Sequence, residues 1–485
     1  MSLASRSLRY FLGLAALLAW RAALAVLPAP VAQALEQAGI PDSHVGVMVT
    51  EIGKPVPLLA HGEARSLNPA SVMKLLTTLA ALDMLGPAHT FKTRVWLEGE
   101  VRDGVLTGNL ILQGGGDPAL TQERLWLLLR EIRARGIREI RGDVILDNTL
   151  YELEAADPAA FDQAPLRPYN AQPAALLANY NTLNLRLSPQ GRGVLARLDA
   201  DDATLLVNRL ESSDSPCNGW REQLSAQMDE NRLLLAGRYP ATCGEQVHPL
   251  NLLPPEATVA VLFRTLWKEL GGRHDGGIRT CPPGPSARLL LEFESPPLAL
   301  IVRDINKYSN NVMAKMLFLN LGAHALGAPA TWSKSVRALR GWLADNSLMS
   351  DEIVLENGSG LSRIERISAA SLARLLAFAA NRPAYYDFAA SLPAIGLEGT
   401  QKGRLNGSPN TGRAWLKSGS LNGARNLAGY ALGSDGRRFI LVMLVNHRNA
   451  AAAGKAHEAL LAWTTGLAAE RTPAEARTRE LEFKQ

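Results

Sequence analysis

The stretch Asn68-Pro69-Ala70-Ser71-Val72-Met73-Lys74-Leu75-Leu76, continued to Leu85, most constrains how this chain can fold. Asn68 is a good helix cap and Pro69 suits a first turn, so a helix is predicted from here to the Gly86-Pro87 stop. Val72, Met73, Leu75, Leu76, Leu79 and Leu82 leave it apolar nearly all round, and such a helix belongs inside a core. Ser71 and Lys74, three residues apart, then share one face. Desolvation lowers the proton affinity of a buried lysine, so Lys74 is expected to stand neutral beside the Ser71 hydroxyl and to serve as its base. The helix dipole favours negative charge developing on that oxygen. Serine and lysine are common, however, and a long chain holds roughly one or two such quartets by accident. Taken alone, the quartet reads better as a capped helix with a snorkelling lysine.

Length argues for more than one core: 485 residues predict two or three domains. With 47% hydrophobic and 20% charged residues the chain reads as globular, not disordered. Basic residues are interleaved with acids, which speaks against nucleic acid as a partner. The densest basic stretch, Arg124 to Arg141, reads as a helix with Leu125, Leu127, Leu128, Leu129, Ile132 and Ile137 packed inward and its basic residues on a solvated face. Arg6 and Arg9, an apolar run from Tyr10 to Trp20 and then Ala23-Leu24-Ala25 follow the order of a secretory signal. A run of about eleven residues is short for a bilayer span, so residues 1–25 are expected to export a soluble protein to the periplasm. An uncleaved anchor or peripheral membrane association stays open. In that compartment Cys217, Cys243 and Cys281 predict one disulfide and one spare thiol, with Cys217–Cys243 the first pairing to look for. The cysteine and histidine spacings match no metal-ligand pattern, so neither a metal nor another cofactor is expected.

Along the chain, His44 to Glu51 and Pro57 to His61 read as strands. Alternation at Phe91, Thr93, Val95 and Leu97, an Asp103-Gly104 turn and Asn109 to Leu112 read as a hairpin. Gly114-Gly115-Gly116 lacks the rest of any phosphate-binding pattern and is taken as a tight corner. A helix over 121–134 and a strand over Gly142 to Asp147 follow. Residues 150–285, rich in Pro, Gly and Asn, read as a small, mostly β insertion. A helical pattern from Pro296 pauses at Tyr308-Ser309-Asn310-Asn311 and resumes. Apolar helices are predicted over Leu372 to Ala380 and Ala456 to Leu467. Arg413 to Ser420 reads as a strand entering a Gly/Ser-rich segment, and Leu427 to Leu432 with Phe439 to Val445 as a hairpin around Gly433-Ser434-Asp435-Gly436.

Three short motifs give the quartet its context. Ser71-Val72-Met73-Lys74, Ser309-Asn310-Asn311 and Lys417-Ser418-Gly419 stand in the order S-x-x-K, S-x-N, K-T/S-G found in penicillin-binding proteins and β-lactamases. Ser66-Leu67-Asn68, Ser408-Pro409-Asn410 and Ser420-Leu421-Asn422 also fit S-x-N, but only Ser309 sits at a break between two apolar helices. Gly114 to Pro118, Ser295 to Leu298, Asn306 to Asn311, Asn357-Gly358-Ser359-Gly360-Leu361-Ser362-Arg363 and Leu427 to Tyr430 add to the likeness. Together they resemble the low-molecular-mass class C penicillin-binding proteins, D-alanyl-D-alanine carboxypeptidase/endopeptidases of the S13 peptidase family. The resemblance runs from about residue 40 to 465. Glu356 in place of an Asp and Lys315 in place of a Glu depart from its pattern.

That resemblance implies an α+β (α/β) fold of the serine β-lactamase/transpeptidase kind, an antiparallel sheet packed by helices, with inserted mixed α/β and mostly β domains. The catalytic domain would be discontinuous, 26–88 and 286–470, around an inserted region, 89–285, of two small domains, with a charged tail at 471–485. The implied catalytic set is Ser71, Lys74, Ser309, Asn311 and Lys417. Ser71 would attack the penultimate D-alanine carbonyl, Ser309 relay a proton to the leaving amine, and Asn311 fix Lys74 and the substrate amide. Lys417 would offer positive charge to the terminal carboxylate and help keep Lys74 deprotonated. Ser418 would bind that carboxylate, Gly419 let the strand approach the substrate, and the N–H groups of Ser71 and Ser420 hold the oxyanion. The implied partners are peptidoglycan peptides ending in D-Ala-D-Ala, D-Ala cross-links and β-lactam antibiotics. A β-lactamase and a catalytically idle cell-wall-binding protein are the alternatives; the first lacks a suitably placed Glu-x-x-x-Asn segment between Ser309 and Lys417, and the second has no need of the five residues together.

Overall fold

The computed structural model describes residues 26–466 apart from 201, 230, 231, 283 and 406. The expected signal, 1–25, and the charged tail, 471–485, lie outside the described residues. Two compact units are formed. Among the described residues, one comprises those up to His89, Leu298–Ala314 and those from Val336 on; the other comprises Thr90–Pro297 and Lys315–Ser335.

The first unit is built on a five-stranded antiparallel sheet. Its order is Ala414–Leu421, Ala424–Leu432, Arg438–Asn446, Val45–Glu51, Leu59–His61. Strand Arg438–Asn446 is buried at seven consecutive positions, so the sheet is covered on both faces, as its unbroken Phe-Ile-Leu-Val-Met-Leu-Val run requires. Helices Ala29–Gln37 and Gly454–Thr465 cover one face, where Val31, Leu35, Leu460 and Leu461 meet Val47, Leu427, Leu441 and Met443. Helix Ala369–Ala379 packs on strands Val45–Glu51 and Arg438–Asn446, and on helix Lys74–Leu85. Every residue of the latter from Lys74 to Leu82 is buried, as expected of a helix apolar nearly all round.

Its start differs from the expectation. A 3₁₀ turn, Ala70–Met73, precedes the α-helix, which begins only at Lys74. The cause is local: the Ala70 N–H donates to Asn68 Oδ1 at 2.8 Å, and Ala70 sits at φ +46°, outside the helical region. Asn68 therefore makes a turn of its own, and the α-helix is delayed.

The second unit holds two sheets. In the first, Lys92–Arg102 pairs antiparallel with Val105–Gln113 and Arg288–Glu294, while Glu139–Ile140 and Val144–Asp147 run parallel to Val105–Gln113. Helices Gln122–Ala134 and Pro255–Glu269 pack against it through Leu125, Leu129, Leu262 and Phe263. The expectation of a mostly β segment over 150–285 thus missed a fifteen-residue helix. The boundary expected at 286 also lies elsewhere, since Arg288–Glu294 completes this sheet and the unit extends to Pro297. The triple glycine is a packed corner: a Cβ at Gly115 would stand 1.9 Å from the Lys92 carbonyl oxygen.

The second sheet has six strands in the order Leu224–Asp229, Arg232–Pro240, Leu206–Ser213, Gly193–Leu198, Leu183–Gln190, Gln246–Leu250. Its small core of Leu185, Leu187, Leu233, Leu235, Trp220 and Tyr239 is tied by a Cys217–Cys243 disulfide, while Cys281 is a free thiol. A bond across 26 residues restricts the unfolded chain by about 3–4 kcal/mol. The double variant Cys217→Ser/Cys243→Ser is expected to unfold at lower urea concentration, with a loss of that order confined to this sheet. An unchanged midpoint for its hydrogen-exchange protection would show that the small core holds without the bond.

Candidate active site

Asn68 anchors the turn that carries Ser71. Its N–H donates to Asn446 Oδ1 at 2.7 Å, and its carbonyl accepts from Asn426 Nδ2 at 2.9 Å and Asn446 Nδ2 at 3.0 Å. Its own amide donates to the Ser362 carbonyl at 2.8 Å. These side chains project from the two adjacent central strands, so the turn is pinned to the sheet. Three residues on, the half-buried Ser71 Oγ accepts from Lys74 Nζ at 3.0 Å. Lys74 is wholly buried, and its Nζ also donates to Asn311 Oδ1 at 2.5 Å and to the Ser359 carbonyl. Three neutral oxygens from three distant segments thus surround one amine.

The second motif lies where helix Leu298–Tyr308 ends and helix Asn311–Leu326 begins, the break expected from sequence. Ser309 occupies that junction at φ +58°, a left-handed conformation that reverses the chain and that non-glycine residues adopt only when held. Asn310 Oδ1 accepts from the Met313 N–H at 3.1 Å, capping the second helix and freeing the Asn311 side chain to reach Lys74. Asn306 ties the preceding helix to the nucleophile helix by donating to Thr78 Oγ1 at 3.2 Å.

The third motif is on the edge strand Ala414–Leu421. Lys417 is fully buried, and its Nζ donates to Ser309 Oγ and to the Ser418 carbonyl, both at 2.9 Å. Burial brings its pKa down to about 7. A Cβ on Gly419 would lie 2.5 Å from the Pro69 carbonyl oxygen and 2.9 Å from the Ser71 nitrogen. The glycine expected to admit substrate is therefore required first by the chain itself, because the edge strand lies against the nucleophile turn. Ser418 Oγ faces Thr400 Oγ1 at 3.3 Å, and Ser420 is exposed beside it.

The nucleophile turn is also gripped by the loop Asn357-Gly358-Ser359-Gly360. Gly360 has φ +79°, and a Cβ there would stand 1.8 Å from the Ala70 carbonyl oxygen. The loop is shaped by the buried Glu365, whose Oε1 accepts from the N–H groups of Glu356, Asn357 and Gly358 at 3.1, 3.0 and 2.8 Å and whose Oε2 accepts from Gly360 at 2.9 Å. Burial raises the Glu365 pKa, and these N–H bonds oppose that rise.

Ser71, Ser309, Ser418 and Ser420 open into one cavity of about 270 Å³, with Lys74 and Lys417 buried behind the first two serines. A larger cleft, about 680 Å³, lies in the second unit near Tyr151, Asn181 and Trp332, but no serine, cysteine or lysine lines it. Chemistry, not size, locates the site. All eight residues expected from sequence are brought to this one region: two hydroxyls, each within hydrogen-bond reach of a buried amine, beside a glycine-backed strand edge. Such an arrangement can activate one hydroxyl and protonate a leaving group with the other. Sequence reading gave no role to Ser359, Glu365, Arg404 or Arg425. Arg425 was within reach of it: Asn422-Gly423 is a strong two-residue hairpin signal, and that turn places Arg425 directly across from Ser420.

Comparison with known proteins agrees with this geometry. The chain is 28% identical over 424 residues, 83% of its length and 78% of the relative's, to a D-alanyl-D-alanine carboxypeptidase of Actinomadura sp. (strain R39). Its fold matches penicillin binding protein 4 from Haemophilus influenzae with a TM-score of 0.73 at 23% identity, covering 88% of this chain and 98% of that one. The same Haemophilus protein complexed with a β-lactam matches with a TM-score of 0.71 at 24% identity, covering 89% and 98%. The sequence model of the D-Ala-D-Ala carboxypeptidase 3 (S13) family matches residues 27–467, and the chain belongs to that family.

Proposed function

We propose that this protein is a serine D-alanyl-D-alanine carboxypeptidase that also acts as an endopeptidase on D-Ala cross-links of peptidoglycan. The observation that carries this reading is the 3.0 Å contact between Lys74 Nζ and Ser71 Oγ, with a second lysine–serine pair, Lys417 and Ser309, at the same cavity. Family membership and the carboxypeptidase relative support the substrate class.

Neutral Lys74 keeps its two N–H groups on Asn311 Oδ1 and the Ser359 carbonyl and turns its lone pair to the Ser71 hydroxyl, so that Ser71 Oγ attacks the carbonyl of the penultimate D-alanine and passes its proton to Lys74 Nζ. The backbone N–H groups of Ser71 and Ser420 receive the developing oxyanion, a contribution on the order of 3 kcal/mol per donor in related acyl-transfer enzymes. Ser309, bonded to Lys417, relays that proton from Lys74 to the leaving amine, so the C–N bond breaks, an ester on Ser71 remains and Lys74 is neutral again. Water cleaves that ester, Lys74 taking its proton and returning it to Ser71 Oγ as the acid leaves. Asn311 keeps Lys74 in register and faces the substrate amide. β-Lactams, which imitate the D-Ala-D-Ala terminus, acylate Ser71 by the same attack. The protein works in the periplasm after export through residues 1–25, and washing membranes with salt reveals any peripheral association. Incubation with peptidoglycan is expected to release D-alanine and to split cross-linked dimers, each followed by mass spectrometry. Ser71→Ala should lower both on the order of 10⁴-fold or more. Equal release by the variant would sink the assignment.

Lys417 offers a test that does not depend on turnover. Folded, burial holds its pKa at about 7, against an ordinary value of 10.5. Between those values the unfolded chain binds a proton that the native chain lacks, so stability contributed here rises with pH across that window. Below pH 7 the buried amine is charged and its contribution is least. Relative to Lys417→Met, wild-type protein should therefore gain stability in urea unfolding from pH 7 to pH 10. A constant difference would mean that Lys417 does not change charge on folding.

A further inference from the structure

The cavity in front of Ser71 has a cationic end that the catalytic motifs do not supply. Arg404, beyond the 3₁₀ turn Gly399–Gln401, and Arg425, on strand Ala424–Leu432, both line it. Arg425 Nη1 donates to Ser420 Oγ at 3.1 Å. The Arg404 side chain is only 15% exposed; its Nη1 reaches Gln401 Oε1 at 3.4 Å, and the Glu458 carboxylate stands at 4.0 Å, too far for a hydrogen bond. Burial and the field of Arg425 both lower the proton affinity of Arg404, and the two arginines add to burial in holding His457 down to about 3. These guanidinium groups are thus close enough to repel. Among the lining residues there is no carboxylate to offset them. Glu458, at ion-pair distance, offsets Arg404 in part, and a buried cation so weakly paired gains from an anion that completes it.

A second observation points the same way. Gln401 lines this cavity, is fully buried, and its Nε2 has no hydrogen-bond partner. Its position is fixed: a Cβ on Gly399 would come within 2.4 Å of the Lys307 carbonyl oxygen, and Lys307 pairs with Glu398. Two guanidinium groups, one unsatisfied amide donor and the hydroxyls of Ser418 and Ser420 therefore converge where an acceptor is missing. Lys417 cannot fill that role directly. It is fully buried, its Nζ is engaged by Ser309 and by the Ser418 carbonyl, and it does not line the cavity.

We propose that Arg404 and Arg425, with Gln401 Nε2 beside them, bind the α-carboxylate of the leaving D-amino acid, while Lys417 acts from behind through Ser309. The inference rests on the acyl-transfer reading above. A planar carboxylate suits arginine, which offers paired donors in a fork. A terminal D-alanine carries its carboxylate one carbon beyond the scissile nitrogen. A cross-link whose acceptor amine is likewise flanked by a carboxylate meets the same anion site, and an amide-capped terminus is refused.

The test is a matched pair of peptides, N-acyl-D-Ala-D-Ala with a free terminal carboxylate and the same peptide as its carboxamide, followed by release of D-alanine and D-alaninamide. Wild-type protein is expected to favour the free acid. Arg425→Gln and Arg404→Gln should each shrink the ratio of the two kcat/KM values roughly 10- to 100-fold, chiefly through KM for the acid, and Arg404→Lys should restore part of it. Thermal unfolding verifies that each variant is folded; if Arg404→Gln is not, Arg425→Gln, at a half-buried position of its strand, carries the test. A ratio unchanged within twofold in folded variants overturns the assignment. So does a ratio that collapses in Lys417→Met but not in the arginine variants. Wild-type protein that releases no D-alanine and takes no penicillin on Ser71 overturns the acyl-transfer reading itself, whereas active protein indifferent to both arginines overturns only this one.

Discussion

A single buried amine sets the terms for the catalytic unit. Lys74 is sealed from water, so the hydrogen-bonding capacity of Nζ has to be met by protein, and an unmet donor there would cost about 1–3 kcal/mol or more. Its acceptors come from the nucleophile turn, the junction between two helices and a loop about 285 residues away: Ser71 Oγ, Asn311 Oδ1 and the Ser359 carbonyl. Convergence of these segments is thus a condition for burying the helix at all. The catalytic geometry follows from the same requirement, since satisfying the amine also aims it at the Ser71 hydroxyl.

Holding three segments together at one point concentrates backbone strain there. Ala70 and Ser309 both adopt left-handed conformations without being glycine; the first precedes the proposed nucleophile and the second is the proposed proton relay. Gly360 and Gly419 allow the loop and the edge strand to press on the nucleophile turn from different sides, at separations no side chain permits. The cost is met by polar groups that do no chemistry. Asn68, Asn426 and Asn446 pin the turn to the sheet, and Glu365 gathers four N–H groups of the opposing loop. With the scaffold fixed in this way, Ser71 in its proposed role needs little reorganisation when a substrate arrives, which is where electrostatic catalysis gains most.

What could be read from the sequence follows a physical division. The nucleophile helix, the paused helix at Ser309 and the hairpin around Gly433 to Gly436 all carry their signal locally, in periodicity and turn residues. The motif residues were legible because Ser71 and Lys74 lie on adjoining turns and because order along the chain joined them to Ser309 and Lys417. Tertiary contacts were not. Glu365 looks like any surface glutamate until the loop folds over it, and Gly419 looks like a substrate-facing glycine until the strand meets Ser71. The delayed start of the α-helix depended on an Asn68 turn that competes with the cap read from sequence. The strand Arg288–Glu294 was placed on the wrong side of a boundary because its partner, Lys92–Arg102, is nearly 200 residues earlier.

The central claim is that Ser71, activated by Lys74, is the acylated group in a pocket shared with Ser309 and the edge strand. A crystal structure of the protein soaked with benzylpenicillin addresses it most directly. The account predicts continuous density from Ser71 Oγ to the opened lactam carbonyl, that carbonyl oxygen between the N–H groups of Ser71 and Ser420, and Lys74 Nζ still within hydrogen-bond reach of the ester oxygen. Penicillin attached to another residue, or an ester on Ser71 with Lys74 and Ser309 turned away from it, would contradict the account.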